Sequence, residues 1–197
     1  MPDPWIDSVK SSGQLSVHST LAGSWRTLFA DALREFNTLS AGHRLGVTLT
    51  ATTESGANVE VQTGNGAISC TYAGATARGV LSGQMMHGRS FLFSVGGKVE
   101  KAHVYVPSGP LVNTPRGQRP VGTNVMKLIL VHELVHACGL TNDEHSRDDL
   151  FQASPQVDPG TNASDDRVRI ESGGRMSWMP PLVLSATTVT AIKSLWT

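Results

Sequence analysis

"LVHELVHACGLTNDEHS", residues 130–146, sets His132 and His136 four positions apart with Glu133 beside the first of them. On a helix, positions four apart lie on one face, so both imidazole rings can reach a single point. The residues around them, Leu130, Val131, Leu134, Val135 and Ala137, are apolar nearly all round. A helix over about 124–138 is therefore expected to be buried rather than half-exposed. Gly139 ends it, because glycine readily takes the left-handed conformation that closes a helix.

Burying two histidines and a glutamate without partners is unfavourable, and a shared metal ion removes the conflict. Neutral imidazole suits a zinc ion (Zn2+), and two histidines with a third protein ligand leave a fourth position for water, which is the open form of a catalytic site. Glu133 leaves the helix in a neighbouring direction, toward that water rather than toward the metal. Water beside zinc is acidified, and Glu133 can take its proton for attack on a polarised carbonyl. Asn142, Asp143 and His145 are the residues within reach that could complete the ligand set.

"HELVHACGL" followed by a histidine resembles the metzincin zinc peptidases, whose signature is H-E-x-x-H-x-x-G-x-x-H or D. Counted strictly, its last position falls on Asn142, whose neutral amide is a poor zinc ligand. Asp143 comes one residue late and His145 three late. His145 is preferred, as an imidazole and because "HSRDDLF", residues 145–151, is similar to the H-S-x-D run that starts at the third ligand of matrix metalloproteases. Asp143 and Asn142 stay open as alternatives. Metzincins also carry a methionine-containing turn beneath the metal. "GGRMSWMPP", residues 173–181, offers Met176 and Met179, with Met176 preferred because Trp178 follows it in the manner of the family's M-x-Y order.

The resemblance implies an α+β fold: a mixed twisted sheet with two main helices, a long irregular lower segment and a C-terminal helix. A length of 197 residues suits one domain, with an upper lobe over about 1–139 and a lower lobe over about 140–197. The implied activity is that of a zinc-dependent endopeptidase, with Glu133 catalytic and His132, His136 and His145 on the metal. A peptide or protein substrate would lie extended along an edge strand. The expected edge is "KAHVYVPSG", residues 101–109, which a proline closes. Two rivals use the same residues: a zinc-dependent hydrolase of another amide or ester, and a non-catalytic zinc-containing module for binding or assembly. A purely structural zinc would not need Glu133, which weighs against the second.

Elsewhere, Trp25, Leu28, Phe29, Ala32, Phe36 and Leu39 recur at helical spacing, with Ser24 as an N-cap candidate and Gly42 as a stop. Alternation predicts strands around Leu45–Val47–Leu49, Val59–Val61 and Ile68–Cys70–Tyr72, then two more around a turn at Gly96 and Gly97. Residues 74–88, 108–123 and 146–175 are expected to be loop or irregular. Val189, Ile192 and Leu195 mark a last helix behind Ser185.

Sixteen basic side chains balance sixteen acidic ones, with no basic block, so neither nucleic acid nor an anionic membrane is an expected partner. No apolar run reaches about 18 residues, and "MPDPWIDSVK" lacks the features of a secretory signal. A soluble monomer is expected, with no compartment assigned. Cys70 and Cys138 make no disulfide framework, and Cys138 is read as a small core thiol. His103 is read as a packed strand residue. His18, His43 and His87 receive no role.

Overall fold

The computed structural model describes residues 2–197, apart from the side chain of Ser172; Met1 lies outside it. Its fold is a mixed α+β arrangement built around a five-stranded sheet. In chain order the first elements are α1 (Asp7–Ser12), β1 (Gln14–Ser19), α2 (Gly23–His43), β2 (Thr48–Thr52), β3 (Val59–Gly64), β4 (Gly66–Tyr72), β5 (Ala75–Leu81), β6 (Arg89–Val95) and β7 (Lys98–Pro107). The sheet runs β2-β1-β3-β7-β6, with the first four strands parallel and β6 antiparallel to β7. The remainder comprises β8 (Leu111–Thr114), β9 (Gly117–Pro120), α3 (Thr123–Ala137), β10 (Gln156–Asp158), β11 (Arg167–Ser172), β12 (Arg175–Met179) and α4 (Ala186–Trp196). Among the described residues, no helix is long and apolar enough to cross a membrane.

The period-two alternation explains the sheet's two faces. Val59 and Val61 of β3, with Ala102, Val104 and Val106 of β7, turn into the main core beside α2 and α3. The opposite face carries Tyr105 and Phe93, and the β4–β5 hairpin covers it with Ile68, Cys70 and Leu81. β7 is therefore covered on both sides and hydrogen-bonded to β3 and β6, so the expected edge at residues 101–109 is interior instead. Pro107 terminates the strand at its last pairing, with Gly64, and does not mark an edge. The edges are β2 and β6. β2 is closed by α2, whose Asn37 side chain accepts from Leu49 N and donates to Leu49 O as a neighbouring strand would, both at 2.9 Å.

Three segments expected to be irregular hold strands. Residues 75–81 form half of the β4–β5 hairpin, residues 111–120 form the β8–β9 hairpin, and residues 156–179 carry the sheet β10-β11-β12. Both cysteines are free and buried, as a core thiol requires.

The end of α3 is held by segments far from it in the chain. Trp5 Nε1 donates to Ala137 O at 2.9 Å, Trp196 Nε1 to Cys138 O at 2.9 Å, and Asp3 N to Gly139 O at 2.9 Å. Carbonyls at a helix end lack intrahelical donors, and these three bonds supply them. Gly139 sits at φ 108 with Asp3 O only 2.3 Å from where a Cβ would be, so no other residue fits this turn.

Candidate metal centre and cleft

His132, Glu133 and His136 project from α3 where it passes under β6, and all three are buried. After Gly139 the chain makes one turn of 3-10 helix, Asn142–Glu144, closed by a capping box in which Thr141 N and Oγ1 both donate to Glu144 Oε2. This turn is the enlargement implied by the spacing after Gly139. It returns His145, not Asp143, to the other two histidines: His145 Nε2 lies 3.3 Å from His132 Nε2 and 3.1 Å from His136 Nε2. Asp143 is exposed on the turn, and Asn142 lines the cleft above.

The three residues form a group that could hold a metal ion. His132 Nδ1 is 2.9 Å from Leu150 O and His136 Nδ1 is 2.8 Å from Leu140 O. A carbonyl only accepts, so both Nδ1 atoms carry the proton and both Nε2 atoms present lone pairs. His145 can donate from Nε2 to only one of them, which leaves lone pairs facing one another unless a cation lies between. Tetrahedral zinc with nitrogens at about 2.0–2.1 Å separates its ligands by roughly 3.3 Å, close to the spacing seen here. The donor set therefore fits such an ion. Burial holds His132 down to about 3, with His136 adding to the effect, and burial holds His136 down to about 4. Both are neutral, ligand-competent imidazoles over the ordinary pH range.

Beneath the rings lies Phe151, fully buried, with its centroid 5.1, 4.6 and 4.7 Å from those of His132, His136 and His145. Met176 is 57% exposed on β12, within a run of exposed residues from Arg175 to Trp178 that ends at the buried Met179, so the expectation that Met176 packs beneath the centre is corrected. Asp149 fixes the loop that carries Phe151. It is fully buried, accepts from Phe151 N at 2.8 Å through Oδ1, and accepts from Ser185 N and Thr188 Oγ1 at the start of α4 through Oδ2. Neither Phe151 nor Asp149 belongs to the signature, although both lie in the "HSRDDLF" run.

Glu133 is held on both oxygens. Gly88 N donates to Oε1 at 3.0 Å and Ser90 Oγ donates to Oε2 at 2.8 Å. Gly88 is obligatory here, because a Cβ would sit 2.3 Å from Tyr105 O and 2.7 Å from Glu133 Cγ. Burial pushes the carboxyl up to about 7 although both bonds pull it down, so it can hold or release a proton near neutrality. Oε1 stands 4.0 Å from His132 Nε2, beside the point where the histidines converge and not at it. Ser90 and Gly88 could be found only once β6 was seen to cross α3, since nothing in "HGRS" marks them.

A cleft of about 350 Å³ opens over this centre, lined by Val80 and Leu81, His87 to Phe91, the three histidines, Glu133, Asn142 and Ala153. One wall is the start of the edge strand β6. His103 lies outside the cleft on the hairpin side of β7, its ring edge-on to Phe93 at 5.7 Å, as a packed residue. The chain matches no protein-family model and no curated protein sequence.

Proposed function

We propose that this chain is a zinc-dependent endopeptidase of metzincin type. The observation that carries the proposal is the meeting of three imidazole nitrogens beside a carboxylate at the floor of a cleft walled by an edge strand. His132, His136 and His145 hold the metal. Zinc bound there supplies Lewis acidity to the scissile carbonyl and to the attacking water. Glu133 takes the proton from that water and passes it to the departing amine, a double duty suited to a carboxyl poised near 7. Ser90 and Gly88 keep the carboxylate aimed as it changes charge. The substrate main chain pairs with the outer edge of β6, as extended peptides do on sheet edges.

The test is the comparison of Glu133→Gln with the wild type. About one zinc per chain is expected in both, with hydrolysis of an unfolded protein lowered roughly 10²–10⁴-fold in the variant, the usual contribution of a general base. Undiminished hydrolysis by Glu133→Gln overturns the proposal.

A further inference from the structure

Arg89 begins β6 and lines the cleft. Ser90, the next residue, turns toward α3 and binds Glu133, so Arg89 and Phe91 project to the opposite face of the sheet, under the β4–β5 hairpin. There the guanidinium carbon stands 5.4 Å from the Phe91 ring centroid. Gly79 of β5 lies against both side chains, since an added Cβ would come within 2.9 Å of Arg89 Nε, 3.1 Å of Phe91 Cζ and 3.2 Å of Arg89 Cδ. The side chain thus packs against a ring and a bare stretch of backbone. Among the described residues no carboxylate or carbonyl bonds to its guanidinium. The other charged group lining the cleft, Glu133, is already taken up by Gly88 and Ser90.

An exposed cation without a counter-ion, lining the cleft over the centre, is a ready selector for an anionic group. A peptide laid along the free edge of β6 sends alternate side chains to the face that Arg89 occupies, and opposite charges facing one another across neighbouring strands attract. Resting on the peptidase proposal, we infer that Arg89 is a specificity-determining residue, and that the substrates are peptides with an aspartate or glutamate close to the bond that is cut. Phe91 and Gly79 act as positioning residues that set where the guanidinium lies.

The experiment is cleavage profiling of a mixed peptide library by the wild type, Arg89→Gln, Arg89→Glu and Gly79→Ala, with zinc content measured for each. The expected wild-type profile is enriched in acidic residues at one position near the scissile bond, with a preference of about fivefold, the scale of a partly exposed ion pair, that fades as salt rises. Arg89→Gln should abolish the preference, and Arg89→Glu should transfer it to lysine and arginine at the same position. Gly79→Ala, which displaces the guanidinium without removing it, should weaken the preference while zinc stays bound. Cleavage with no acidic preference, or with one that survives Arg89→Gln, overturns this inference and leaves the peptidase proposal standing. Absence of cleavage by the zinc-loaded wild type overturns both.

Discussion

Replacing His145 by alanine should weaken zinc binding far more than replacing Asp143 or Asn142. Its Nε2 is the atom that closes the triangle, 3.1 and 3.3 Å from the other two, whereas Asp143 is exposed and Asn142 only borders the cleft. Four-ligand zinc sites are worth roughly 10–16 kcal/mol, or about 3–4 kcal/mol for each ligand, so losing one should raise the dissociation constant about 10²–10³-fold. A lost outer contact costs at most roughly 10–100-fold. Competition titration against a chromophoric chelator measures all three variants on one scale, and circular dichroism verifies that each is folded. Zinc retained by His145→Ala but stripped from Asp143→Ala would mean an aspartate site, and the role assigned to the 3-10 turn would be wrong.

Ser90→Ala removes one of the two bonds that favour the charged Glu133, so the carboxyl should rise further and the acid limb of kcat/KM should move to higher pH, with activity at neutrality down about tenfold; a pH profile with an unmoved limb would contradict this. Phe151→Ala should cost about 3–5 kcal/mol in urea unfolding and loosen all three histidines, while Phe151→Leu should keep most of the zinc affinity. Asp166 is fully buried and binds Arg119 twice, at 2.8 and 2.6 Å, together with Gly122 N at the start of α3 and Gly160 N. Burial pushes this carboxyl up, but those bonds outweigh it and hold it below the usual range. Its stabilisation is therefore complete above about pH 4, the unfolded value, and is lost as pH falls through the lower folded value. Asp166→Asn should lower stability at neutral pH by about 3 kcal/mol, or roughly 6–12 °C in Tm, and flatten the acid side of the stability curve.

The centre was legible because its signal is local. A four-residue spacing on an apolar helix places His132 and His136, and ligand chemistry favours His145 over two nearer residues whatever the turn between them. The edge was not legible. "KAHVYVPSG" and "RSFLFSV" both look like strands, and which one is outermost depends on the long parallel crossover that inserts β7 between β3 and β6. β5 carries no strand signature because "ATARGVL" alternates among small and polar residues, with only Leu81 buried, and leans on the sheet below for its packing. Met176 is exposed despite its methionine–tryptophan motif because the whole run Arg175–Trp178 faces solvent and only Met179 is buried, which a short motif does not reveal. Phe151 was invisible for a different reason: a buried phenylalanine looks alike in sequence whether it sits under a metal centre or anywhere else in a core.

Digestion of an unfolded protein mixture in water enriched in oxygen-18, followed by mass spectrometry of the products, tests the peptidase claim most directly. With the zinc-loaded wild type, new carboxyl termini should appear carrying one heavy oxygen from the attacking water, and Glu133→Gln with zinc bound should yield almost none. If the loaded wild type produces no labelled termini, or if Glu133→Gln produces them equally well, the centre formed by His132, His136, His145 and Glu133 is not that of a peptidase.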